Sequence, residues 1–143
     1  MDNRNSCNNR TDFGPEPFVT DIRAATLSNC TFRTALWTGK CLQLTLMCIP
    51  VGGEIGLESH SNLDQFLRLE DGTGIAMMGQ CKDKLDYRKR VCSGSVISIP
   101  AGTWHNVVNT GNRPIKLYSI YAPPEHPHGT IHCTKADSDA AEH

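Results

Sequence analysis

Short runs of alternating apolar and polar residues fill the chain between residues 18 and 121, and glycine, proline, asparagine and aspartate separate the runs. A period of two residues is typical of β-strands, and the sequence has no sustained period of 3.6 residues that would indicate a long helix. In the run from residue 41 to residue 48, one face of the predicted half-buried strand carries Leu42, Leu44, Leu46 and Cys48, and we expect this face to be buried. The pattern therefore predicts an all-β fold.

Turn sequences such as Asp71-Gly72-Thr73-Gly74 indicate hairpins between neighbouring strands. Further strands are expected at residues 32–38, 54–60, 65–70, 75–80, 95–99, 105–109 and 115–121. About eight short antiparallel strands in one domain favour a sandwich or a barrel. We therefore expect a β-barrel domain at residues 18–122, a flexible N-terminal arm at residues 1–17 and a C-terminal tail at residues 123–143, where prolines interrupt the sheet.

Length, charge and cysteine content exclude several classes of protein. A chain of 143 residues suits one domain, and its 14 basic and 15 acidic side chains give a net charge of −1, so no nucleic acid partner is expected. The chain has no apolar segment long enough to span a membrane and no signal peptide, which favours a cytoplasmic protein with no membrane partner. Its seven cysteines include no C-x-x-C pair, which argues against a disulfide framework or a zinc ribbon.

Candidate chemistry lies in two segments. In the first, Glu58 and His60 are two residues apart, so both point to one face of the predicted strand and could bind one metal ion. Glu58 could instead form an ion pair with Arg68. Across the following turn, either Asp64 or Gln65 faces this pair, but not both, because successive side chains alternate.

The second segment has the pattern G-x5-P-x-G-x2-H-x3-N, in which the histidine is His105 and the asparagine is Asn109. This pattern predicts a strand, a Pro-Gly turn and a strand that opens with a histidine. Asn109 precedes Thr110-Gly111 and is expected to be a structural turn residue.

The two segments resemble the two sequence motifs of the cupin superfamily, over about residues 40–121. The second motif matches at every defining position. The first departs from the family pattern, because cupins usually have H-x-H followed by a glutamate, whereas this chain has Glu58-x-His60 followed by Gln65. The resemblance implies a double-stranded β-helix, also called a jelly-roll barrel.

The resemblance also implies a divalent metal ion bound by Glu58, His60, Gln65 and His105. This set keeps one carboxylate, as the usual set does, so the charge of the centre is unchanged. Two histidines and one carboxylate suit iron(II), and manganese, nickel, zinc or copper would also bind. Gln65 is either the fourth ligand or an ordinary strand residue.

Cupins include dioxygenases, isomerases, lyases and members that only bind ligands. The implied function is a metal-dependent enzyme acting on a small polar molecule, and the alternative is a non-catalytic module that binds a metal or a small ligand. A third reading leaves the site empty, with Glu58 bonded internally. The chain is similar to small single-domain cupins, which implies a homodimer with residues 18–27 exchanged, and to cupins described as mannose-6-phosphate-isomerase-like. The tail histidines His126, His128 and His132 form either a lid or a solvated tail.

Overall fold

The backbone of the protein forms two short helices and a series of antiparallel strands. A computed structural model of the chain describes residues 10–141. Helix α1 (Ile22–Ser28) precedes the strands and helix α2 (Lys135–Ala141) follows them. The strands are β1 (Arg33–Thr38), β2 (Gln43–Ile49), β3 (Asp64–Asp71), β4 (Gly74–Gly79), β5 (Tyr87–Val91), β6 (Val96–Ile99), β7 (Trp104–Asn109), β8 (Ile115–Ala122) and β9 (Ile131–His132).

The strands form two sheets that enclose one apolar core. The larger sheet has the order β6-β3-β8-β2-β1-β9 and the smaller has the order β5-β4-β7, with antiparallel neighbours throughout. Buried side chains of both sheets contribute to the core, for example Leu67 and Leu117 from the larger sheet and Ala76 and Val107 from the smaller. The prediction of an all-β fold is confirmed.

The interior face of β2 is not the one that the sequence predicted. Gln43, Thr45, Met47 and Ile49 are fully buried, whereas the leucine-bearing face is less deeply covered. Leu42 and Leu44 line a surface groove together with Ile22 of α1, and this helix contacts β2 and β8. The leucine-rich face of β2 is therefore not its interior face, because the interior is polar at one end of β2 and β8.

The predicted strand at residues 54–60 is wrong. This stretch, which we call the bulged segment, pairs with β7 only through two isolated bridges, Glu54–Val108 and Glu58–His105. Gly56 interrupts it with a φ of +111°. An irregular segment replaces a strand because its hydrogen bonds to β7 change register between the two bridges.

The segment at residues 18–27, predicted to be exchanged between subunits, contains α1 instead of a strand. The Asp21 side chain accepts a hydrogen bond from the backbone N–H of Ala24 at 3.1 Å, which caps the helix. The homodimer stays a prediction. Neither α1 nor α2, the helices found within residues 10–141, is long and apolar enough to cross a membrane.

The described residues that flank the predicted domain pack against it. Asp12 is buried and its carboxylate accepts hydrogen bonds from Thr38 and from the backbone of Gly129. After β8, β9 pairs with β1, and α2 follows it. The expectation of a solvated histidine tail is therefore wrong for His132, which is buried. Residues 1–9 of the predicted arm lie outside the described residues.

Candidate metal centre

Glu58 faces His105 because one extra residue interrupts the pairing of the bulged segment with β7. The two bridges, Glu54–Val108 and Glu58–His105, are four residues apart on the bulged segment and three apart on β7. Such an excess is a β-bulge, and Gly56 adopts a positive φ within it. Without the extra residue, the leucine before Glu58 would lie opposite His105. The bulge therefore decides which side chain enters the site.

Backbone hydrogen bonds of β7 and of the turn before it position His105 and His60. Glu58 and His105 exchange two of them, at 2.9 and 3.1 Å, so their side chains project from a directly opposed pair. The turn before β7 donates from Gly102 N to the carbonyl oxygen of His60 at 2.6 Å. As a result the His60 and His105 rings are neighbours, with centroids 5.6 Å apart.

The three side chains converge on one point. Glu58 Oε2 lies 3.6 Å from His60 Nε2 and 3.5 Å from His105 Nε2, and the three ligand atoms lie within 4.8 Å of one another. Two ligand atoms bound at ~2.1 Å to one tetrahedral ion are themselves ~3.4 Å apart. The contacts are longer than ordinary hydrogen bonds and match the spacing of ligands around a shared cation.

The donor and acceptor pattern fits a cation as well. His105 Nδ1 lies 2.9 Å from the carbonyl oxygen of Thr103, which can only accept, so Nδ1 carries the hydrogen. In the neutral ring, Nε2 is then an acceptor that faces an acceptor oxygen of Glu58. Both of these atoms are buried, and within residues 10–141 neither has a hydrogen-bond partner. A proton or a metal ion between them would satisfy both.

The electrostatics of the site keep Glu58 ionised. Burial alone would raise the pKa of the Glu58 carboxyl, but the facing imidazoles of His105 and His60 outweigh burial and hold this pKa well below its usual 4.5. An ionised carboxylate beside two imidazoles is the donor set that a divalent transition metal prefers. The residues present therefore fit such an ion.

The structure decides two alternatives that the sequence left open, namely whether Asp64 or Gln65 faces inwards and whether Arg68 pairs with Glu58. Asp64 is exposed and its carboxylate accepts from the backbone N–H of Ala101, whereas Gln65 is buried. Arg68 pairs with Glu70 at 3.3 Å, and so does not form the predicted alternative ion pair with Glu58. Asn109 is structural, as predicted, because its side chain donates to backbone carbonyls of the neighbouring turns.

Gln65 lies inside the larger sheet, opposite Tyr121 of β8 and Ile99 of β6. Its Nε2 donates to Ser119 Oγ at 3.0 Å. Its carbonyl oxygen, Oε1, is buried and has no hydrogen-bond partner among the described residues. The atom that would serve as the fourth ligand is thus available, and its role as a ligand stays a prediction.

The tail lies against the site, which is the lid alternative of the sequence analysis, through contacts that the sequence did not reveal. The buried Gln43 side chain accepts from the backbone N–H groups of Glu125 and His126 and donates to the carbonyl of His126. This places Glu125 Oε2 at 3.6 Å from His60 Nδ1. The His126 ring packs edge-on against Tyr121, with centroids 5.2 Å apart. Residues 125–126 therefore cover the polar end of the interior.

Arg33 is a further residue near the site that the sequence analysis did not single out. It begins β1 and is almost fully buried, with 2% of its surface exposed. The only signal in the sequence is that Arg33 lies two positions before Ala35 on a predicted strand, so the charged side chain shares a face with an apolar one.

Comparison with known proteins shows the family to which the chain belongs. The Cupin domain family matches residues 45–121 of the chain. The protein belongs to the cupin family. It is similar to YrkC of Bacillus subtilis, with 63% identity over 131 residues that cover 92% of this chain and 70% of YrkC. It is also similar to L612 of Acanthamoeba polyphaga mimivirus, with 38% identity over 122 residues, 85% of this chain and 74% of L612.

A solved structure shows the same cupin architecture. The crystal structure of BH2720 from Bacillus halodurans superposes with a TM-score of 0.90 at 61% identity, covering 91% of this chain and 98% of that one. The fold predicted from the two motifs, the double-stranded β-helix of cupins, is confirmed.

Proposed function

We propose that this cupin is a metal-dependent enzyme that acts on a small polar molecule, with a divalent ion bound by Glu58, His60 and His105 and by Gln65 as the fourth ligand. The observation that carries the proposal is the convergence of three ligand atoms within 4.8 Å, two of which are buried acceptors without a hydrogen-bond partner in residues 10–141. Buried polar atoms without partners cost ~1–3 kcal/mol each, which a bound cation would offset.

Each side chain has a distinct task in this proposal. A bound divalent ion would supply Lewis-acid chemistry towards a carbonyl or carboxylate oxygen, and iron would add reactions of dioxygen. Glu58 contributes the negative charge, and the Thr103 carbonyl fixes the ring of His105 so that Nε2 faces the ion. Burial raises the pKa of Tyr121, so beside His60 it stays a neutral hydrogen-bonding group.

Elemental analysis tests the metal site directly. The protein is purified without metal-affinity resin, and we expect about one ion of iron, manganese, nickel or zinc per chain. His105→Ala and Glu58→Gln should lose the metal while remaining folded. Glu54→Gln is the matched control, because Glu54 lies on the same bulged segment and its carboxylate accepts from Asn106 outside the cluster. Metal retained at wild-type level in both site variants would contradict the assignment.

Turnover tests the enzymatic part of the proposal. The metal-loaded protein is assayed against ketoses, diketones and uronates, with mannose 6-phosphate included for the predicted isomerase-like subtype. We expect metal-dependent turnover that His105→Ala abolishes. Absence of turnover on every substrate would favour the second candidate below.

The second candidate is a non-catalytic cupin that binds a metal or a small ligand. Glu58 and Asp139 line one cavity, and the contacts of their carboxylates favour this candidate. Within the described residues, Glu58 faces two imidazoles and Asp139 pairs with Lys135 at 3.0 Å, so neither is a ready general base. A metabolite that raises the melting temperature and is recovered unchanged would support this candidate.

A further inference from the structure

A buried arginine shares a cavity with Glu58. The cavity has a volume of about 240 Å³ and lies between the bulged segment, β1 and α2, with Arg33, Glu58, Lys135, Ser138 and Asp139 as the polar part of its lining. It is smaller than the ~300–1,000 Å³ of pockets that hold drug-sized ligands. Any ligand that enters it is therefore a small molecule.

Arg33 is charged, buried and without an acidic partner. Among the described residues no carboxylate forms an ion pair with it. Its Nη1 donates to His132 Nδ1 at 3.0 Å and to Ser138 Oγ at 2.7 Å, and both acceptors are neutral in these bonds. A buried guanidinium with only neutral partners is unfavourable unless an anion is bound there.

The unused part of the guanidinium has the geometry for a carboxylate. The hydrogen bonds of Arg33 to His132 and Ser138 both come from Nη1, and the Tyr121 hydroxyl is a further neutral partner of the guanidinium. Nε is buried with no hydrogen-bond partner in residues 10–141. The edge formed by Nε and Nη2 therefore has no acidic partner among the described residues. This edge presents two parallel N–H groups, which match the two oxygens of a planar carboxylate.

Lys135 adds a second positive charge at the same cavity. Its Nζ pairs with Asp139, and it lies so close to the bulge that a Cβ on Gly56 would come within 3.4 Å of it. Arg33 and Lys135 line the cavity together with Glu58 and Asp139, so these four side chains carry no net charge, and the proposed divalent ion beside Glu58 would leave the cavity positive. An anion balances this arrangement, whereas a neutral ligand does not.

We propose that this cavity binds a small carboxylate, held by the Nε–Nη2 edge of Arg33 beside the metal centre. The inference rests on the proposed function, since it names the class of ligand for the same site. It identifies Arg33 as a binding residue, and it places the ligand between β1 and the bulged segment.

The test uses the full chain, loaded with manganese or stripped with chelator, and three probes: glycolate, its neutral amide glycolamide, and inorganic phosphate. Binding is measured by calorimetry and by the shift in melting temperature. We expect glycolate to bind and to raise the melting temperature, and we expect the neutral glycolamide to bind at least ~10-fold more weakly. An arginine fork also pairs with phosphate, so this third probe tests whether the cavity prefers a carboxylate.

Arg33→Met should weaken glycolate binding by at least ~30-fold, because a charged hydrogen-bonding partner is removed. Arg33→Lys keeps the charge but not the paired N–H groups, so it should bind more weakly than wild type, and it replaces Arg33→Met if that variant does not fold. Arg113→Met is the matched control, because Arg113 is exposed and pairs with Asp71. It should bind glycolate like wild type.

The outcomes separate this inference from the proposed function. Equal glycolate binding by wild type and Arg33→Lys or Arg33→Met, equal binding of glycolamide, or tighter binding of phosphate would overturn the inference. A protein that binds manganese but not glycolate would also overturn it, while leaving the metal site intact. Glycolate binding that depends on Arg33 in a protein unable to hold metal would support the inference and refute the proposed function.

Discussion

The interior residues of β2 and β8 differ sharply between the two ends of these strands. At one end Ile49 lies opposite Ile115 and Met47 opposite Leu117. At the other, the cross-strand pairs are polar and are Thr45 with Ser119 and Gln43 with Tyr121. All eight side chains are nearly or fully buried, so depth alone does not explain the change.

The apolar end satisfies the usual rules of a core, and the polar end departs from them. Thr45 Oγ1 and Gln65 Oε1 are buried without a hydrogen-bond partner in residues 10–141, as are the facing atoms of Glu58 and His105. Such atoms lower the stability of a fold and are tolerated where a function requires them. The comparison predicts that stability depends on the apolar end of the interior and that the proposed binding depends on the polar end.

Leu117→Ala tests the apolar end and has the largest expected effect on stability. Leu117 is fully buried, so the free energy of unfolding should fall by about 3 kcal/mol through lost burial and the cavity left behind. Urea denaturation in the presence of chelator measures this. Leu42→Ala, at an exposed leucine just before β2, should cost less than about 1 kcal/mol. Metal content per folded chain should be unchanged in both, and loss of metal from Leu117→Ala would break the comparison.

Acidification tests the polar end. Burial, together with the positive charge of Arg33, lowers the pKa of His126 from its usual 6.5 to about 3. Above pH 6.5 neither the folded nor the unfolded state binds this proton, and between pH 6.5 and about 3 the unfolded state binds it preferentially. The free energy of unfolding should therefore fall on acidification, by about 2 kcal/mol between pH 6.5 and pH 5 from this residue. His126→Phe should reduce the slope measured by urea denaturation, and an unchanged slope would contradict the prediction.

Glu125→Gln sharpens the role of the tail. Because Glu125 Oε2 lies 3.6 Å from His60 Nδ1, its charge should orient that ring and increase its basicity. We expect manganese affinity to decrease about 10-fold, with little change in the free energy of unfolding of the metal-free protein. Competition against a fluorescent chelator measures the affinity. Glu16→Gln, at an exposed carboxylate paired with Arg10, is the control, and equal affinities in the two variants would exclude this role.

Thr45→Val has the smallest expected effect and the opposite sign. Removal of a buried hydroxyl that has no partner in the described chain should raise the free energy of unfolding by up to about 1 kcal/mol. Ser119→Ala is its counterpart, because the Ser119 hydroxyl accepts from Gln65 and its loss should cost about 1 kcal/mol. Urea denaturation of both variants decides the signs, and destabilisation by Thr45→Val would show that the hydroxyl has a structural role.

The two segments of the candidate site were predictable to different degrees. The strand that opens with His105 was predicted nearly to its observed bounds, because a Pro-Gly turn and a short apolar run are local signals. Glu58 and His60 were correctly grouped, but for an incomplete reason. Their convergence depends on the bulge at Gly56 and not on a regular strand, and no local signal specifies where a cross-strand register changes.

The sequence by itself determined the all-β class, most of the strands and the two motifs, since alternation, turn residues and motif spacing are local properties of the chain. Only the tertiary structure decided which face of β2 is the interior, which residue of the bulged segment lies opposite His105, and that Arg33 meets Ser138, 105 positions further along the chain. These features depend on how two sheets, a helix and the tail pack together. Contacts between distant residues of this kind are set by packing and by cross-strand register, which the order of residues in a single strand does not encode.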